Sequence, residues 1–285
     1  MAIKGALPMA GYLNYLVLIK PFSSAQTALD MATLLASETN ASITAYSCGH
    51  LSDNDIDHYP SRRDAKHVTL QKQREWISSY LTAYATHDIG IKTSWNSDWP
   101  IAASHYADQI AANLIIQGGS NSSTDQQRLL RSAPCPVFIT RSVITKPRGI
   151  VLAAVDIQGN DDRHIALNHE VVTAAINLAT ALKSTLHLVC ALDEKESIAN
   201  HLGFEYLSDI DAEKITAADR FGVPAEQTHI QLGNPLKVIT EVVTALHAGT
   251  LVIGTLARKG ITGKLLGNTA EKILLKTQCN LLVVN

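Results

Sequence analysis

Gly254, Gly267, Asn268 and Thr269 lie in the segment LVIGTLARKGITGKLLGNTAE, residues 251–271, and their spacing points to one chemistry, the capture of an anion. Leu251, Val252 and Ile253 form an apolar run of strand type that stops at Gly254, and a helical pattern opens at about Asn268. A strand that ends in glycine and returns through a helix N-terminus presents unpaired backbone N–H groups and the positive end of a helix dipole, which suits phosphate. Thr255 follows the first glycine directly, Arg258 and Lys259 add positive charge, and Asn268 or Thr269 adds a side-chain donor. The same residues also fit a plainer role. The glycines then allow a tight turn, and Asn268 caps the last helix with Glu271 completing a capping-box pair. A capped helix occupies the N–H groups that a phosphate needs.

Asp156 is the second candidate. It follows the apolar run 150–155 (IVLAAV), where a carboxylate at a strand end can accept from a base or ribose group, or can cap the turn Ile157-Gln158-Gly159-Asn160. Other chemistry is poorly supported. Cys48, Cys135, Cys190 and Cys279 form no C-x-x-C pair, and they read as buried reduced thiols at equivalent positions of a repeat. The histidines form no helical ligand pair; His164 and His169 beside Asp161 and Asp162 are the nearest to one, and surface solvation explains them. Gly118-Gly119-Ser120 has no nucleophile and base around it and reads as a turn. Trp76, Trp95 and Trp99 lack interleaved basic residues, so they read as packing or pocket wall.

The elements that position these residues repeat. Strand one is 16–19 in the first half and 150–155 in the second, each followed by a helical pattern, 25–37 and 171–182. Strand two is 42–46 and 185–191. Polar stretches follow, 52–66 and 193–208, read as loops or irregular helix starts, and then helices over 68–86 and 210–221. Strand three is 92–95 and 228–231, each leading to a proline in a first helical turn, Pro100 and Pro235, with Asp98 and Asn234 as caps. Helices 101–112 and 236–247 lead into strand four, 114–117 and 251–253. The copies then diverge, because 118–135 is eight residues shorter than 254–279, and the loss falls on the phosphate-type loop. The boundary lies near Lys146-Pro147-Arg148, giving domains 1–145 and 146–285. Apolar strands alternating with helices indicate α/β architecture with a parallel sheet covered by helices. Ligands bind such sheets outside the carboxyl ends of the strands, where the order reverses.

Gly254, two residues, Ala257, nine residues and then Gly267-Asn268 is similar to the nucleotide loop of the universal stress protein family, which has a second glycine where Ala257 stands and Ser or Thr where Asn268 stands. The wording GTLARKGITGKLLGNTAE most resembles the tandem E-type members, and the likeness covers most of the chain. The resemblance implies two tandem Rossmann-like domains of the adenine nucleotide alpha hydrolase type, each with five parallel strands in the order 3-2-1-4-5. It also implies a pseudo-dimer of the halves through Val137 to Thr140 and Leu281 to Val284. An aspartate at Asp156 would meet the adenine end of ATP or another adenine nucleotide, with no metal beyond accompanying Mg²⁺. In the first half the matching position is Lys20-Pro21, and no nucleotide site of the family kind is expected there.

A net charge of -2 and 18% charged residues provide no footprint for nucleic acid or an anionic membrane surface. No apolar run approaches the roughly 20 residues of a spanning helix, and the N-terminal MAIKGALPMAGYL is too interrupted for a secretory signal, so a cytoplasmic protein is expected. The leading reading is a non-enzymatic stress-response module that binds a nucleotide or other small ligand in its second half, slow hydrolysis aside. The alternatives are an interaction protein with decayed pockets and a binder of an apolar or phosphopantetheine-like ligand. A monomer and a homodimer of the whole chain both fit.

Overall fold

The computed structural model describes residues 13–119, 124–141, 149–159, 161–192, 206–255 and 268–284, with the side chains of 206–209 and 268 outside that set. The chain divides into two compact units, one spanning Ala10–Val143 and the other taking in Ile144–Asn285. The linker expected at Lys146-Pro147-Arg148 lies outside the described residues.

The first unit runs β1 (Asn14–Leu18), α1 (Thr27–Thr39), β2 (Ser42–Gly49), a short α2 (Asp53–Ile56), α3 (Arg62–Leu81), β3 (Ile89–Trp95), α4 (Trp99–Gln109), β4 (Leu114–Gly118), α5 (Thr124–Ser132) and β5 (Val137–Thr140). Its strands are all parallel and lie in the order β3-β2-β1-β4-β5. The second unit runs β6 (Ile150–Ala154), α6 (Asp162–Ala181), β7 (Thr185–Leu192), α7 (Tyr206–Phe221), β8 (Thr228–Leu232), α8 (Pro235–Ala245), β9 (Thr250–Gly254), α9 (Asn268–Lys276) and β10 (Asn280–Val284). Its order, β8-β7-β6-β9-β10, is the same path repeated, again all parallel. Consecutive residues are buried in the middle strands: Tyr15, Leu16 and Val17 in β1, and Val151, Leu152 and Ala153 in β6. Both faces of these strands are therefore covered, which is why they read as continuous apolar runs without alternation.

Helix starts are set by side-chain caps that lie in polar sequence. Ser61 opens α3, accepting from the Asp64 N–H at 3.1 Å and donating to the Asp64 carboxylate at 2.6 Å. Asp161 opens α6, accepting from the Arg163 and His164 N–H groups at 3.0 and 3.2 Å. Both helices consequently begin well before the apolar periodicity does, at Arg62 and not 68, and at Asp162 and not 171. The first turns face solvent and carry no periodic signal. Asp98 and Asn234 cap α4 and α8 as the sequence indicates, with Asn234 accepting from the Leu236 N–H at 3.0 Å. Helix α5 has no counterpart in the sequence reading, because only Gln126, Leu129 and Leu130 of its nine residues are buried. The expected loop 52–66 contains α2 and the start of α3, whereas most of the second polar stretch, 193–205, lies outside the described residues.

The cysteine reading needs a correction. Cys135 and Cys279 do occupy equivalent places, each five residues before the end of its fifth strand. Cys48 and Cys190 do not. The register pairs Leu18 with Tyr46 and Ala154 with Val189, so Cys190 matches Ser47, and Cys48 falls one residue later on the opposite face. Cys190 is buried, Cys48 is half-buried with its thiol on the Asn96 carbonyl, and none of the four forms a disulfide among the described residues.

Candidate functional site

The first four residues after β6 form the site's best-defined wall. Val155 donates its N–H to the Val189 carbonyl at 3.0 Å and so continues the strand by one residue. The chain then leaves the sheet at Asp156, where order in the strands reverses between β6 and β9. Asn168, buried on α6, holds this point on both sides: its amide oxygen accepts from the Asp156 N–H at 2.9 Å, and its amide nitrogen donates to the Asp156 carbonyl at 2.6 Å. A strand end that buried these groups without partners would lose about 1–3 kcal/mol for each. The clamp thus fixes the direction of the Asp156 side chain.

That side chain divides its two oxygens. Oδ1 accepts from the Gln158 and Gly159 N–H groups, both at 3.1 Å, which is the turn-capping role open to it from sequence. Among the described residues Oδ2 has no hydrogen-bond donor, the His164 Nε2 lying 4.0 Å away, and the side chain is 55% exposed. One carboxylate oxygen therefore serves the fold while the other takes no donor among the described residues.

His164 was not singled out for this role by sequence, and the structure gives it one. Its Nδ1 lies 2.5 Å from the Asp161 carboxylate, and the same contact holds the Asp161 carboxyl below its ordinary range, helped by the backbone N–H bonds of the cap. Its ring packs over Gly159, where an added Cβ would come within 2.6 Å of the ring. The glycine is thus needed for close approach. His164 thus lies between Asp161 and Asp156, although among the described residues no three His, Cys, Asp or Glu side chains are grouped as a metal site. His169 belongs elsewhere, packing edge-on against Phe221 with ring centroids 6.1 Å apart.

The other wall is β9. Gly254 ends the strand, and a Cβ there would lie 2.6 Å from Leu167 of α6, so the glycine is a packing necessity as well as a loop signal. Thr255 donates its N–H to the Val284 carbonyl at 2.8 Å and its hydroxyl to the same oxygen at 3.3 Å. Its side chain is thereby turned to the neighbouring strand. Arg258 and Gly267, with Ala257, lie outside the described residues. Helix α9 begins at Asn268, which takes the first helical position and not the residue before it; Thr269 beside it is exposed. Beneath the site, burial pushes the Cys190 thiol up to about 12, with the Asp156 charge adding to the effect. It is an inert packing group at neutral pH.

The first unit shows what the same scaffold does without the aspartate. Gln26, buried ahead of α1, clamps Lys20 as Asn168 clamps Asp156, accepting from its N–H at 3.3 Å and donating to its carbonyl at 2.6 Å. Lys20 is therefore the structural equivalent of Asp156, as the sequence alignment of the halves indicates. It places a cation where the second unit has a carboxylate. Neither Gln26 nor Asn168 was picked out from sequence. For Asn168 the signal existed, since it shares a helical stripe with the buried Val171, Val172 and Ala175, and a polar residue on such a stripe needs a partner.

Strand order, the reversal point and the clamped strand end define a doubly wound α/β fold of the nucleotide-binding type. The family model described as the universal stress protein family matches residues 148–285. Universal stress protein E of Escherichia coli K12 is 30% identical over 97% of this chain and 95% of its own length. The Universal stress protein E homolog of Haemophilus influenzae is 28% identical over 94% and 96%. A functionally unknown protein from Pseudomonas aeruginosa PAO1 superposes with a TM-score of 0.74 at 27% identity, covering 97% of this chain and 93% of its own. A universal stress protein from Archaeoglobus fulgidus shares the fold, with a TM-score of 0.67 at 15% identity over 95% and 96% of the two chains. The chain belongs to the universal stress protein family, and the two relatives from Escherichia coli and Haemophilus influenzae that match it over nearly their whole length carry the E designation.

Proposed function

We propose that this protein is a non-enzymatic stress-response module that binds an adenine nucleotide, ATP or a close relative, in the crevice at the strand ends of its second unit. The free Oδ2 of Asp156 carries the reading. It is a charged acceptor, held in direction by Asn168 and by its own turn, with no protein donor within hydrogen-bond distance among the described residues. Asp156 would take the base or ribose, while Gly254, Arg258, Gly267, Asn268 and Thr269 would supply the phosphate side, with Mg²⁺ accompanying the nucleotide; Thr255, whose N–H and hydroxyl both go to the Val284 carbonyl, would only shape the turn. The first unit, with Lys20 at the matching point, takes no nucleotide in this way. We further propose that the domains are 1–145 and 146–285, joined through their fifth strands.

Calorimetric titration with ATP and Mg²⁺ tests the site. Asp156→Asn keeps an oxygen to cap the turn but removes the charge, and Asp156→Ala removes both. Weaker ATP binding in both variants, with the asparagine form as stable as the wild type, is expected. Equal affinity in the wild type and Asp156→Asn would sink the assignment. A second reading, an interaction protein without a nucleotide, is favoured by the turn-capping use of Oδ1; it predicts that no ATP binds and that Asp156→Ala changes stability alone.

A further inference from the structure

The outer side of the first unit carries a groove that the nucleotide reading leaves unused. It encloses about 490 Å³ between α3 and β3, with Thr93 on the strand side and Arg63, Lys66, His67, Leu70 and Arg74 along the helix. These helix positions are spaced so that they form one strip, about 16 Å from Arg63 to Arg74 at 1.5 Å per residue. No acidic side chain lines the groove. Of the carboxylates of α3, Asp64 is held by Ser61 at the helix start, and Glu75 accepts from Gln71, a groove-lining amide, at 2.8 Å; Arg62 outside the groove pairs with Asp53. A chain of net charge -2 thus keeps a run of positive groups together on one face.

The strand beside this strip is the outermost of its unit, and among the described residues β3 pairs with β2 alone. Successive N–H groups of a strand point to opposite sides. Asn96 donates to the Gly49 carbonyl of β2 at 3.0 Å, so the N–H groups of Ile91 and Thr93 point the other way, to the outside. Gly90 and Lys92 are exposed along the same strand, and Lys92 sits over the Tyr106 ring on the face opposite the groove. Positive charge therefore flanks the free edge on both faces.

We propose that this edge is a docking site for an extended acidic segment of a partner protein, which adds as a strand beside β3 and places its carboxylates against Arg63, Lys66 and Arg74 on one face and Lys92 on the other. Strand addition supplies backbone hydrogen bonds, and alternate side chains then read the two faces. The charge selects an acidic sequence. A peptide fits better than a single-stranded nucleic acid because no Phe, Tyr or Trp ring lines the groove, and the single imidazole of His67 does not make a platform on which successive bases could stack. Trp76, the aromatic residue of α3 nearest in sequence, is turned to Phe22 and Tyr80.

Fluorescence anisotropy of a labelled peptide of alternating glutamate and valine, titrated with the full chain at low and high salt, tests the proposal. Binding that weakens with salt, and that falls by about tenfold or more in Arg63→Glu/Arg74→Glu, is expected. Thr93→Pro removes one outward N–H without touching the β2 ladder and should weaken binding comparably. Its melting transition is recorded alongside, and if that falls, the reversal of the two exposed arginines still decides the matter. No binding of the peptide, binding indifferent to the arginines, binding unchanged in a folded Thr93→Pro, or tighter binding of an oligouridylate through the same arginines would each overturn it.

Discussion

The amide clamp is where a single residue decides the geometry of the site. Asn168 and Gln26 hold equivalent strand ends in the two units, although one lies within its helix and the other ahead of it. Replacing Asn168 by Leu keeps the branching and the number of heavy atoms of the side chain, though not its smaller volume, and leaves the Asp156 N–H and carbonyl without partners. We expect Asn168→Leu to destabilise the chain by about 1–3 kcal/mol in urea unfolding, the cost of stranding buried polar groups. A loss smaller than about 0.5 kcal/mol would mean that water replaces the clamp. Asp156 itself was legible in the sequence because a carboxylate after an apolar run marks a strand end. Its clamp was not, because the partner is twelve residues away on another element.

At the scale of elements, β7 and β8 bring His187 and His229 together, with Nδ1 and Nε2 2.9 Å apart and ring planes within 6°. One ring must donate and the other accept, so the pair is satisfied with both rings neutral. Burial lowers both pKa values from the ordinary 6.5, and for His229 the neighbouring His187 and then Lys214 add to it. The unfolded chain therefore binds more protons than the folded one once the pH falls below that ordinary value. Stability is highest above it and declines as the pH drops through the lowered folded values. The urea midpoint should fall between about pH 7.5 and about pH 5.5, and His187→Gln/His229→Gln should lose part of that dependence. An unchanged slope in the double variant would show that other groups carry it. Neither histidine was paired in the sequence, where 42 residues separate them. The register of parallel strands, fixed by burial on both faces, is what makes them neighbours.

For the whole molecule, the repeat sets the expectation. The proposed joining of the fifth strands leaves β5 exposed if the chain is cut at Lys146, and Val137, Phe138 and Ile139 would then form an apolar edge. Size-exclusion chromatography of the isolated first half should show self-association or precipitation. A soluble monomer would count against the arrangement.

Much of this was readable from residues alone. The repeat, the class of fold, the helix caps Asp98 and Asn234, and the candidate residues Asp156 and Gly254 are local signals, set by apolar periodicity, short polar side chains and glycine, and a sequence displays them directly. Helix α5, the early starts of α3 and α6 and the true register of Cys48 were hidden, because exposed turns show no period and register depends on the neighbouring strand. Only the tertiary structure decided that one Asp156 oxygen serves its turn while the other has no donor among the described residues, that His164 lies beside it, and that a basic helix strip borders a strand edge unpaired among those residues. Each of these depends on groups distant in sequence being fixed within a few ångströms by packing, and no local pattern records that distance.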